Sequence, residues 1–166
     1  KSLPDVEKRH LEAREKLIAL SSKLATLHES AEMRAVESVV ALRERGMLPG
    51  IQGTVGELCR FPEEYATAIE ASAGNRLNFV IVDDVDTAGK AIEYLKERKL
   101  GRCTFIPLDK KPYIFSQEAR ELSKKNGSNG FLLHLVEFNP MLAPAFEFVF
   151  GDTLLVDSIS AAKGIG

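Results

Sequence analysis

What this chain lacks narrows it first. It has only two cysteines, Cys59 and Cys103, and their spacing is not that of a metal site. Each falls in a predicted strand or at its edge, so both read as reduced, buried thiols of a cytosolic protein. No apolar run approaches the ~20 residues needed to cross a bilayer. The opening Lys1-Ser2-Leu3-Pro4-Asp5 lacks the apolar core of a signal peptide. It also lacks an initiator methionine, so the chain is expected to be a piece of a longer one. An excess of one charge is missing as well: 22 Lys and Arg stand against 24 Asp and Glu, a formal −2. That balance argues against a surface coated for nucleic acid and leaves room for a local basic patch. No nucleophile–base pair and no ligand cluster is visible, so the chain reads as a binding or assembly module rather than an enzyme.

Glycine and proline are also absent between Asp5 and Arg45, which predicts one long helix. Positions 3, 6, 10, 13, 17, 20, 24, 27 and 31 carry Leu, Val, His, Ala, Leu, Leu, Leu, Leu and Ala, so eight of nine are apolar. Most residues between them are Glu, Lys, Arg and Ser. Two apolar residues in seven make a narrow stripe, which suits a coiled-coil seam through Leu17, Leu20, Leu24 and Leu27. The alternative is a long helix packed on its own domain. The register breaks at Arg34 and Ser38, and the apolar residues shift to Met33, Val36, Val39, Val40 and Leu42. A helix this long reaches roughly 60 Å, more than a domain of this size is wide. His10, on the stripe, reads as a tolerated polar seam residue.

Gly46 and Pro49-Gly50 stop the helix. The stretch from Gly50 to Val85 organises the rest of the chain. Ile51–Leu58 reads as a strand, with a bulge or a close backbone approach expected at Gly53 and Gly56. The glycines at 50, 53 and 56 invite a phosphate-loop reading. They precede or sit inside the strand, whereas a phosphate loop joins a strand to a helix N-terminus, so that reading is rejected. A helix opens at Pro62 and closes at Gly74. Leu77–Val82 reads as a strand covered on both faces. Asp83-Asp84 ends it, either as a solvated turn feeding a helix cap or as a metal-binding pair. The next helix runs to Lys99, capped by Asp86 or Thr87, with Ala88, Ala91, Ile92 and Leu95 facing the core. Cys103–Ile106 is a short strand closed by Pro107.

Beyond Asp109 the chain is loop-rich, with a short surface helix expected at Ser116–Lys125. Phe131–Phe138 reads as a strand or buried extended segment, in which His134 is structural. A helix opens at Asn139-Pro140 and ends at Gly151, Thr153–Val156 is a strand, and a last helix starts at Asp157. This order predicts a small sheet covered by helices. Phe79, Ile81, Ile92, Leu95, Phe105 and Leu155 are its expected core.

Several motifs, weak singly, occur together in one order. Gly50 to Leu58 follows the coiled coil, then come Ala68 to Ala71 with Gly74 to Arg76, and Phe79 to Asp83. Ala88 to Lys96, Gly101 to Asp109, and Phe150 to Asp157 complete the set. Together they cover about 110 residues, and the pattern resembles the hinge domain of SMC (structural maintenance of chromosomes) proteins, with a soft leaning to a prokaryotic member. The resemblance implies an α+β fold, a small sheet covered by helices, preceded by a long coiled-coil helix. It divides the chain into an arm helix, 1–46, and the first subdomain of a hinge, 47–166, with the second subdomain and the returning coiled-coil strand expected beyond the C-terminus. It implies a module that joins two SMC chains for chromosome condensation and segregation, cytoplasmic and chromosome-associated. No cofactor is implied here; ATP and Mg belong to the heads of the full-length family protein. The partners implied are another SMC chain and the returning coiled-coil strand, with no membrane.

The resemblance places Phe105 and Leu108 in the hinge–hinge contact and Leu154 and Val156 in a strand near it. The alternative for all four is plain core. Arg98, Lys99 and Arg102, with Lys110 and Lys111 in the following loop, are DNA-contact candidates, and a solvated face is the alternative. A small α/β ligand-binding or enzymatic domain with a helical arm is the other functional reading, resting on Asp83-Asp84 at a strand end.

Overall fold

The computed structural model describes residues 3–109, 116–125 and 127–165. Helix α1 spans Leu3–Glu44, 42 residues, about 63 Å at 1.5 Å per residue. Gly46 closes it in the left-handed region, at φ +67°, where a side chain would be strained. Strand β1 (Ile51–Thr54) follows and gives way at once to a one-turn helix, α2 (Val55–Leu58). The strand expected through Leu58 therefore ends four residues early. The cause is local: the Thr54 hydroxyl accepts from Glu57 N and the Glu57 carboxylate accepts from Thr54 N, a reciprocal capping box.

A 3-10 turn at Glu63–Tyr65 runs into α3 (Ala66–Ala73), and a second at Gly74–Asn78 leads to β2 (Val80–Val82). The expected strand start at Leu77 is thus occupied by the 3-10 turn. Helix α4 (Val85–Arg98) is capped by Asp84, not by Asp86 or Thr87: its carboxylate accepts from Thr87 N at 2.7 Å. Strand β3 is Phe105–Pro107. Then come α5 (Gln117–Leu122), β4 (Ser128–Phe131), a 3-10 turn at Leu132–Leu135 in place of the expected strand, and a 3-10 turn at Pro140–Leu142 that enters α6 (Ala143–Phe150). Strand β5 (Leu154–Val156) and α7 (Ile159–Ile165) complete the described chain.

Strand β2 is the centre of a three-stranded sheet, antiparallel to β1 and parallel to β3. The β1 pairing carries a bulge between Ile51 and Gly53, with Gly53 at φ +138°. Strands β4 and β5 form a separate antiparallel pair. Alternation along β2 divides the core into two layers. Val80 and Val82 face α1 and α4, packing with Ala35, Val39, Leu42, Ala91 and Leu95. Ile81 faces the other way, onto Ile69, Phe146, Val149 and Phe150. Successive strand side chains point to opposite faces, so a three-residue strand buried on both sides must be apolar throughout. Val-Ile-Val is what stands there.

Of the expected core, Ile81 and Leu95 are buried, while Phe79, Phe105 and Leu155 are half-buried at its margins. Ile92 is a correction: it is 39% exposed. It lies one residue past Ala91 on α4, a turn of about 100° that carries it off the buried line of Ala88, Ala91 and Leu95.

Candidate interaction surfaces

The last turns of α1 belong to the domain. Ala35, Val36, Val39 and Leu42 are all buried against β1, β2 and α4. The Arg43 guanidinium donates to the Gln52 carbonyl, tying the helix end to the bulge of β1. Farther out, Gly101 at φ +99° presses its backbone against the helix, and a Cβ there would stand 2.7 Å from the Ala31 carbonyl oxygen. Every described side chain from Arg9 to Ser30 is exposed. Leu17, Leu20, Leu24 and Leu27 lie in that part, each more than half exposed. No described element covers the stripe. A row of apolar side chains on an otherwise charged helix calls for a partner surface.

Where the stripe meets the domain there is an open cavity of about 440 Å³, lined by His28, Ala31, Glu32 and the 101–104 loop. Asn75 Nδ2 donates to the Glu32 carboxylate at 3.0 Å. Cys103 also lines it. Burial, with the Glu32 charge as a lesser cause, pushes its thiol up to about 12, so it stays protonated and unreactive at neutral pH. Burial raises the Cys59 thiol too. Sequence spacing could not reveal this cavity, because its walls come from segments some 70 residues apart.

Leu154 and Val156 share one face of β5, and Leu155, between them, turns to the core. All three are half-buried, and the flanking pair is absent from the side chains packed on either core layer. Among the described residues β5 pairs only with β4, and β3 only with β2, so each has an open edge. Phe105 packs on the α1–α4 layer and Leu108 on the α3–α6 layer, both half-exposed.

Arg98, Lys99 and Arg102 are all exposed, on the last turn of α4 and the loop after it. Lys99 adopts φ +53° as the C-cap, and the Arg98 guanidinium lies 5.0 Å from the centre of the Tyr94 ring. Lys110 and Lys111 lie outside the described residues. The Asp83-Asp84 pair is engaged in structure. Gln52 Nε2 donates to Asp83 Oδ1 at 2.6 Å, and Asp84 caps α4. Among the described residues no three His, Cys, Asp or Glu converge in a way that could hold a metal ion, and no helix is long and apolar enough to cross a membrane.

A long helix fused to a small two-layered core, with open strand edges and an uncovered apolar stripe, is a connector's architecture. The family described as SMC proteins Flexible Hinge Domain matches residues 48–166. The chain belongs to the SMC hinge family. The chromosome partition protein Smc of Methanocaldococcus jannaschii is 43% identical over 165 residues, covering 92% of this chain and 14% of that protein. Smc of Gloeobacter violaceus is 35% identical over 158 residues, covering 95% of this chain and 13% of its own length. This hinge chain thus spans about one-seventh of those relatives.

Solved SMC hinges share its fold. An asymmetric dimer of the Geobacillus stearothermophilus SMC hinge domain superposes with a TM-score of 0.74 at 27% identity, over 97% of this chain and 69% of that one. The Pyrococcus furiosus Smc hinge domain with an extended coiled coil gives 0.69 at 34% identity, over 98% and 56%. The α+β fold behind a long helix is therefore that of SMC hinges.

Proposed function

We propose that this hinge joins two SMC chains, with residues 1–46 as an arm and 47–166 as the joining unit. The observation that carries the reading is β5: an open strand edge bearing Leu154 and Val156 on the face turned from the core. Such an edge offers unpaired backbone groups and apolar side chains to a second copy. Phe105 and Leu108 flank the other open edge and are proposed to extend the contact. The dimeric Geobacillus hinge supports the assignment by similarity. The leucine stripe is proposed as one strand of a coiled coil whose other strand is the returning helix of the arm. No catalytic role is assigned to this segment. The parent protein is proposed to act at the chromosome, in the cytoplasm, with ATP and Mg used by heads outside this chain.

Sedimentation of the chain beside Leu154→Lys/Val156→Lys tests the joining role. Dimers that dissociate at least tenfold more readily in the variant, with unchanged circular dichroism, support it. Equal dimerisation of the two sinks the β5 assignment.

Exposure of Arg98, Lys99 and Arg102 on one helix end favours a second reading, direct DNA contact. Reversing all three to Glu is expected to weaken DNA binding and flatten its salt dependence, because fewer counterions are released. Unchanged binding with the same salt slope refutes it.

A further inference from the structure

One row of α1 changes sign along its length. Residues seven apart lie almost in line on a helix, drifting by about 20° per step. Positions 9, 16, 23, 30, 37 and 44 are Arg, Lys, Lys, Ser, Glu and Glu, and all but Ser30 are charged. Every one of the charged five is exposed.

The acidic half of this row borders a groove. Two adjoining cavities, about 380 and 300 Å³, share Met33 and Glu37. The first adds Val36, Val40, Ala41 and Glu44 from the helix and reaches Glu57 at the β1–α2 corner. The second adds Thr26, Glu29 and Arg34. The floor is apolar and its rim predominantly acidic. The groove lies on the flank of the leucine stripe, so a helix seated on Leu17, Leu20, Leu24 and Leu27 leaves its Met33–Val40 floor uncovered.

We propose that the occupant of this groove is the arm of a second copy of this chain, laid antiparallel. Charge decides the polarity. In an antiparallel pair centred between Thr26 and Leu27, residue i faces residue 53 − i. Arg9 then meets Glu44, Lys16 meets Glu37 and Lys23 meets Ser30, and the two-fold repeats each pair. A parallel pair in register instead sets five rows of like charge against each other, Arg9, Lys16, Lys23, Glu37 and Glu44. Size follows the same arrangement. Met33 and Val40 of one copy fall beside Ala19 and Ala13 of the other, bulky against small, over an overlap of about 53 Å. The contact is isologous, as a two-fold interface requires. It links hinge units at opposite ends of the paired arms, and so differs from the joining proposed at β5.

Zero-length carbodiimide coupling of the full chain, read by mass spectrometry, tests the pairing. Lys16 and Glu37 lie about 32 Å apart on one straight helix, so a bond between them must join two copies. Coupling of Lys16 to Glu37 and of Lys23 to Glu29 is the expected result. Coupling of Lys16 to Glu15 or Glu12 of another copy marks a parallel pair and overturns the proposal. Glu37→Lys/Glu44→Lys makes the row wholly basic, and Arg9→Glu/Lys16→Glu makes it wholly acidic. Each variant alone should self-associate through the arm at least tenfold more weakly, and an equimolar mixture should restore association. A mixture that does no better than its components overturns the proposal. Leu20→Glu/Leu24→Glu should leave the Lys16–Glu37 product in place. Its loss there would assign the contact to the leucine stripe instead. Leu154→Lys/Val156→Lys should also leave the product unchanged, which separates this contact from the β5 reading.

Discussion

Residues 9–30 and residues 35–42 belong to one unbroken helix, and they have opposite surroundings. Every side chain of the first is exposed, while Ala35, Val36, Val39 and Leu42 of the second are buried against two strands and α4. Both stretches are rich in apolar residues, so composition does not separate them. Spacing does. The distal leucines follow a 3.5-residue repeat suited to one partner helix, whereas the proximal residues spread over a broader face suited to a sheet. One helix can thus carry two kinds of hydrophobic surface, one satisfied within its own domain and one awaiting another chain.

The largest test of that contrast is Leu42→Ala against Leu24→Ala, in chain dilute enough to be monomeric. The first should cost about 2–5 kcal/mol of unfolding free energy, since the site is buried. The second should fall within ~0.5 kcal/mol, as at other exposed positions. Urea melts followed by circular dichroism read both, and equal effects would show that the distal stripe is covered.

Helix α4 repeats the contrast within one turn. Leu95→Ala should cost about 2–5 kcal/mol. Ile92→Ala, at a partly exposed site, should cost roughly 1 kcal/mol, in proportion to the smaller area it hides. A cost at Ile92 matching that at Leu95 would mean that α4 is rotated from the orientation described.

The boundary between the two parts of α1 is held at Gly101. Gly101→Ala places a methyl 2.7 Å from the Ala31 carbonyl at a positive φ, and should cost about 1–3 kcal/mol through strain. Hydrogen exchange should then rise around Ala31 while Val39 stays protected. Unchanged exchange at Ala31 would show that the loop does not clamp the helix.

Thr54→Ala removes one side of the capping box and should cost about 1 kcal/mol. If stability stays within error, the early end of β1 has another cause. The smallest effect expected is at Asp84. Its hydrogen bonds from Thr87 lower the carboxyl pKa, so its contribution is present above the unfolded value of about 3.9. It is lost as pH falls through the folded value. Asp84→Asn should therefore flatten the acid limb of the stability curve slightly; an identical limb would show that the cap carries no charge-dependent stability.

Some features were legible because they depend on neighbours along the chain. The long helix follows from 39 consecutive residues free of glycine and proline, 6–44, and the seam from the four regularly spaced leucines. The two-sided burial of β2 is written in Val80, Ile81 and Val82, since no polar residue could face either core layer. Local competition hid other features. At Leu77–Asn78 an apolar residue beside a polar one suits a strand or a 3-10 turn, and the preceding Gly74 tipped it to the turn. At Val55 the Thr54–Glu57 capping box outweighed β propensity.

Sequence by itself determined the periodic elements, because backbone propensity and the 3.6- and 2-residue repeats act between residues close in the chain. Tertiary structure alone decided which side of each element faces the core, and here that mattered most for α1 and β5. Nothing in the spelling of Ile92 distinguishes it from Leu95, and nothing in Leu154 or Val156 distinguishes them from Leu155. Their burial depends on how α4 and β5 are rotated against layers built from residues far away in sequence. The meeting of Gly101 with Ala31, and of Glu32 with Asn75, likewise exists only once segments distant in sequence have been brought together, and no local rule encodes such a distance.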